Sequence, residues 1–203
     1  MQYYTDFPSN VQIDTGYLNI TARYQSFAGS DYTSGRIKTL GLFSFQYGRV
    51  DIRARVPGGE GLWPALWMLG ENFPVIGWPD CGEIDIMEYR GAEPGIVHGA
   101  IHTPSSYGAT VNHATTPVPD AETAFHIYSI EWDNQKIRFM VDYQEFYLYQ
   151  PTEYNSSTWP FDAPFFILMN VAVGGTFGGA VNNSVFPQTM SVDWVRVYQK
   201  NPM

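Results

Sequence analysis

The sequence predicts an all-β chain, a jelly-roll sandwich of two curved antiparallel sheets, on three observations. Short alternating apolar/polar runs fill it; 19 Gly and 14 Pro punctuate those runs; and no stretch of ten residues carries a helical period. At 203 residues it is long enough to bury a sizeable core, and no composition shift or linker divides it, so residues 1–203 read as a single domain.

The strands are justified in chain order. Leu18, Ile20 and Ala22 alternate with Asn19, Thr21 and Arg23. Val50, Ile52, Ala54 and Val56 alternate with Arg49, Asp51, Arg53 and Arg55, which reads as a strand with one buried and one wet face. Ile84 and Ile86 mark a strand around Glu83–Tyr89. Ile137, Phe139 and Val141 form a further alternating run. After Pro164, Phe165 to Val173 is almost wholly apolar, as expected of a strand covered on both faces, and Gly174-Gly175 stops it. Met190 to Tyr198 is the last strand.

Composition narrows the function. The net charge of −9 argues against nucleic acid, because phosphate binding needs a basic surface. It also argues against polyanionic sugars. No apolar run reaches the length of a membrane span, so no membrane partner is expected. The single cysteine, Cys81, excludes an intrachain disulfide and reads as a small buried residue. No signal peptide is evident after Met1. Aromatics make up 16% of the chain, enough to line a sugar-binding groove as well as a core.

The segment that carries chemistry is Gly82-Glu83-Ile84-Asp85-Ile86-Met87-Glu88-Tyr89. On a strand Glu83 and Asp85 share a face. Glu88, five positions from Glu83, should face away unless one extra residue at Met87 is absorbed as a β-bulge. Three carboxylates on one face repel one another and raise at least one pKa, an arrangement tolerated chiefly for acid/base work or metal binding. Hydrolysis of a glycoside needs one ionised and one protonated carboxyl. Side chains one intervening residue apart sit at about 7 Å at their Cα atoms and can converge to the roughly 5–5.5 Å of a retaining pair. Two other readings stand beside this one: an edge strand with outward acids, and a metal site completed by His98 and His102.

The run Glu83-Ile84-Asp85-Ile86-Met87-Glu88 resembles the active-site signature of glycoside hydrolase family 16, in the form with the extra methionine that marks its laminarinase branch. Gly61-Leu62-Trp63-Pro64-Ala65-Leu66-Trp67-Met68-Leu69-Gly70, Gly77-Trp78-Pro79 and Val192-Asp193-Trp194-Val195-Arg196-Val197-Tyr198 resemble it too, so the likeness runs from Gln2 to Tyr198. It implies a substrate cleft on the concave sheet. It also implies endo-acting, retaining hydrolysis of β-1,3-glucan, with mixed-linkage glucan a further substrate. Glu83 would be the nucleophile, Glu88 the acid/base and Asp85 the partner of Glu83. His102 would lie beside them. Trp63, Trp67 and Trp78 would carry sugar rings, Arg36 and Asn10 would bond glucose hydroxyls, and Glu131 and Asn170 would line the cleft.

The resemblance implies no required cofactor. Family members commonly bind a structural calcium; Asp193 and the Gly16 backbone match two of its ligand positions, while the usual glutamate partner has no counterpart here. This hard cation prefers six to eight oxygens. Family members also carry a strand before Gln2. Its lack implies an exposed edge, hence lowered stability or a homodimer that covers the gap. Gly175-Thr176-Phe177-Gly178 replaces the usual Asn-Trp-Pro-Gly, so one contact on the leaving-group side should differ. A polysaccharide substrate implies a secreted protein. A non-catalytic glucan-binding jelly roll, the same chemistry on agarose, and transglycosylation are the competing expectations.

Overall fold

The structure, a computed structural model, describes residues 2–200. Its strands are β1 (Gln2–Tyr4), β2 (Val11–Asp14), β3 (Tyr17–Phe27), β4 (Ser30–Ser34), β5 (Arg36–Lys38), β6 (Gly48–Arg55), β7 (Leu62–Gly70) and β8 (Glu83–Tyr89). Then follow β9 (Ile96–His102), β10 (His113–Pro117), β11 (His126–Trp132), β12 (Ile137–Val141), β13 (Gln144–Tyr149), β14 (Phe165–Val173) and β15 (Gln188–Tyr198). Among the described residues the two α-helices, α1 (Phe73–Ile76) and α2 (Gly175–Gly178), are single turns.

One sheet runs β1-β4-β3-β15-β6-β11-β12-β13, with β2 also on β3; the other runs β10-β9-β8-β7-β14-β5. Every pairing is antiparallel except β1 on β4. The predicted alternation is what joins the sheets. Val50, Ile52 and Ala54 of β6 meet Ile84, Ile86 and Met87 of β8 in one buried core, with Tyr128, Ile130 and Phe139. Burying that apolar area on both inner faces is the main force holding the layers together.

The outer face of the six-stranded sheet is the one that matters for function. On β14, Ile167, Met169 and Val171 enter the main core, while Phe166 and Leu168 face the other way. There they form a second small apolar cluster with Leu69 and Cys81. The nearly unbroken apolar run of β14 thus reflects burial on both faces. At its end Gly174 and Gly175 adopt φ of 70° and 83°, conformations open to glycine, and turn the chain into α2 above this face.

Candidate active site

The register of β8 against its neighbours builds the site. Glu83, Asp85 and Glu88 lie opposite His102, Ala100 and His98 on β9. Three steps on β8 from Asp85 to Glu88 are therefore matched by two on β9. On the other side they oppose Leu69, Trp67 and Ala65 of β7, while Met87 pairs with Leu66 and Ile86 is left without a partner. The bulge expected from the sequence is present, centred on Ile86 and not on Met87, and both side chains are buried in the core. It returns Glu88 to the face of Glu83 and Asp85.

That face holds a cleft of about 750 Å³, with Glu83, Glu88, His102, Trp63, Trp78 and Phe177 among its walls. His102 Nε2 lies 3.0 Å from Asp85 Oδ2 and 3.6 Å from Glu83 Oε1. The Trp63 indole N–H donates to Glu88 Oε1 at 2.8 Å. Asp85 is only 4% exposed. Burial dominates the electrostatics, because it penalises the charged form of each carboxyl. Glu83 is pushed well above the usual carboxylate range by burial and then by the Asp85 charge, against the pull of His102. Asp85 is raised by burial alone. Burial and Asp85 push Glu88 up to about 8, while the Trp63 hydrogen bond and His102 act downward. The group can therefore hold protons near neutrality, as acid catalysis requires.

The remaining residues expected at the site divide. Trp78, 41% exposed, stands at the Glu83 end, its ring 6.0 Å from that of His102 and edge-on to Tyr107. Trp67, Arg36 and Asn170 share the cleft face on adjoining strands. The Trp67 indole N–H donates to Asn170 Oδ1 at 2.9 Å, and the Arg36 guanidinium lies 4.7 Å above the Trp67 ring. Asn170 is buried beneath them, and so positions Trp67.

Two expectations are overturned. Asn10 is fully buried, and its side chain is consumed by Thr5 Oγ1, Thr33 Oγ1 and the Thr21 carbonyl, so it clamps β3 to β4 and reaches no cleft. Glu131 lies on β11 in the other sheet, where Ile130 and Trp132 point into the core and turn it outward to Arg138 and Arg49.

The calcium positions do not fit the ion. Asp193 sits at an irregularity of β15 and its carboxylate is already paired with Arg53. Gly16 occupies the exposed β2–β3 turn, which offers no further carboxylate from its own residues, Thr15 and Gly16. One neutralised carboxylate falls far short of six to eight oxygens. Among the described residues, the ligand-type side chains that cluster are Glu83, Asp85 and His102, which are the site itself.

Sequence reasoning gave no site role to Phe177 and weighed His98 only as a metal ligand. Both line the cleft. The four-residue spacing of His98 and His102 on one strand carried the signal for His98, and the departure at Thr176-Phe177 for Phe177.

Comparison with known proteins agrees with this geometry. The family model described as glycosyl hydrolases family 16 matches residues 2–196. A beta-glucanase of Rhodothermus marinus is 43% identical over 212 residues, covering 98% of this chain and 74% of that protein. The glucan endo-1,3-beta-glucosidase A1 of Niallia circulans is 40% identical, over 98% of this chain and 32% of its own length. The crystal structure of a laminarinase from Flavobacterium sp. UMI-01 superposes with a TM-score of 0.93 at 45% identity, over 98% of this chain and 84% of that one. A bulged strand with three carboxylates in an aromatic-walled cleft, matched along almost its whole length, places this chain in glycosyl hydrolase family 16.

Proposed function

We propose that the protein is an endo-acting β-1,3-glucanase that cuts with retention, with Glu83 as nucleophile and Glu88 as acid/base. The observation that carries the reading is the bulge, which sets both glutamates on the walls of one cleft between Trp78 and Trp63. Glu83 opens the double displacement by attacking the anomeric carbon while Glu88 gives its proton to the departing oxygen; Glu88 then takes a proton from the water that releases the sugar. Asp85, between them, keeps negative charge close and helps Glu88 hold its proton. The glutamates stand four β9 residues apart, about 13 Å at the Cα level and wider than the roughly 7 Å expected from the sequence, so a retaining pair requires each side chain to lean roughly 4 Å toward Asp85.

The names of the relatives support the substrate. Beyond those above, a neighbour at TM-score 0.92 and 40% identity is a non-specific endo-beta-1,3(4)-glucanase. Mixed-linkage glucan therefore belongs in the proposal beside laminarin. A polymer of this size is met outside the cell, so the protein acts there.

Glu83→Ala and Glu88→Ala should each cut reducing-sugar release from laminarin by on the order of 10³ or more with circular dichroism unchanged. Near-wild-type release by either variant would remove that residue from its role. A wild-type protein that is retained on immobilised laminarin and releases no sugar would make the molecule a binding module instead.

A further inference from the structure

The nine-stranded sheet carries a groove of its own, of about 750 Å³, at the end where β6, β11 and β15 meet. The ladder registers set Tyr198 opposite Arg49, Arg49 opposite Glu131 and Glu131 opposite Arg138. These four side chains therefore form a straight row across β15, β6, β11 and β12, and all four line the groove. With neighbouring strands about 4.8 Å apart, the row spans roughly 14 Å. Val197, Val50, Ile130 and Phe139, one position along each strand, pack into the core and so turn the row outward. Tyr198 at one end of it is 47% exposed. Tyr47 also lines the groove and is held at φ of 60°, uncommon outside glycine; its hydroxyl donates to Asp162 Oδ1 at 2.7 Å and its ring meets Trp132 edge-on. The middle of the row is polar but balanced. Arg49 Nε donates to Asp51 Oδ1 at 2.8 Å, and Arg49 Nη1 lies 3.6 Å from Glu131 Oε1. Arg138 Nη1 donates to Glu131 Oε2 at 3.0 Å. Two guanidiniums thus face two carboxylates. The Glu131 pairs are partly exposed, and such pairs contribute little to stability, so the fold has small need of them.

We propose that this groove is a second binding site for a neutral β-glucan chain, with Tyr198 as a platform for one sugar ring and Arg49, Glu131 and Arg138 as partners for hydroxyls. The ligand class rests on the β-glucan reading of the cleft. A sugar offers C–H bonds to a flat ring and hydroxyls that both donate and accept; the row supplies an exposed ring beside fixed donors and acceptors. An anionic polymer would first have to displace Glu131 from both arginines. The other cations of the groove, Lys136 and Lys200, are offset in part by Asp133. The groove and the cleft open on opposite sheets, so the second site takes no part in bond breaking. Its effect is to hold the enzyme on a long or insoluble substrate and raise its local concentration there.

The test pairs retention on insoluble β-1,3-glucan with turnover of a short, soluble β-1,3-linked glucose oligosaccharide that fills only the cleft. Tyr198→Ala should weaken retention about fivefold and slow attack on the insoluble glucan to match, while kcat/KM on the oligosaccharide stays within about twofold. Arg138→Gln, which keeps Tyr198, should act in the same direction, and Tyr198→Phe should retain most of the binding. Unchanged retention in both Tyr198→Ala and Arg138→Gln would overturn the proposal. So would equal losses on the insoluble glucan and the oligosaccharide, which would report a structural effect reaching the cleft. Wild-type protein held by a sulfated polysaccharide and not by the glucan would assign the groove to an anion and overturn it as well. A wild type that cuts the oligosaccharide yet shows none of these differences brings down this inference alone; one that neither cuts nor binds glucan brings down the reading of the cleft, and the ligand class with it.

Discussion

At the scale of single residues, two side chains divide control of the titrating pair. The Trp63 N–H on Glu88 stabilises the ionised form of that carboxyl, and His102 does the same for Glu83 through its charge. Removing either partner raises the pKa of the group it served. Glu88 works protonated, so Trp63→Phe should carry the basic limb of the kcat/KM profile upward. Glu83 works ionised, so His102→Gln should carry the acid limb upward, with the basic limb following because His102 also acts on Glu88. Each movement should be about one pH unit, read from initial rates on laminarin between pH 4 and 10. Movement of the acid limb in Trp63→Phe, or of the basic limb alone in His102→Gln, would exchange the two roles. Residue identity made this much legible, because three crowded carboxylates have few uses. It misled at Asn10. An asparagine ahead of a strand can serve as turn, brace or ligand, and its partners Thr21 and Thr33 lie too far along the chain for the sequence to announce them.

At the scale of elements, the site depends on a count along β8. Ile86 and Met87 occupy one pleat's worth of ladder, and that surplus is what keeps Glu88 on the face of Asp85. Deleting Met87 would leave Glu88 four positions from Glu83, where an unbulged strand aims it the same way. The deletion should therefore cost stability, about 2–4 kcal/mol for a lost buried methionine, while the folded fraction keeps activity within about tenfold. Inserting an alanine after Met87 should displace the glutamate along or across the strand and lower activity by on the order of 10³. Denaturation curves and rates on laminarin check both. An inactive but well-folded deletion variant would break the argument. The period of two made strand faces readable throughout β3, β6 and β12. It could not say which sheet a strand joins. Glu131 alternates as convincingly as any cleft residue, and only the pairing of β11 with β6 and β12 puts it on the far side.

At the scale of the whole molecule, layers and topology explain what the sequence showed only by analogy. A sandwich with strands this short followed from turn residues and alternation; the cleft followed from neither, because it needs α2, β8 and the loop carrying Trp78 to meet from distant parts of the chain. The ion pair at the expected calcium position was hidden for a similar reason: only the assembled sheet brings Arg53 of β6 against Asp193 of β15. The layered construction has one more effect. Cys81, the chain's lone thiol, lies sealed with Leu69, Phe166 and Leu168 in the apolar film on the cleft face itself, the stretch of floor beside Glu83, its thiol pushed up to about 11 by burial. It is thus a natural stopwatch for breathing of that floor. A chromogenic thiol reagent should modify the native protein far more slowly than the denatured one, and a bound oligosaccharide should slow it again. Prompt stoichiometric labelling in native buffer would show a floor that opens freely.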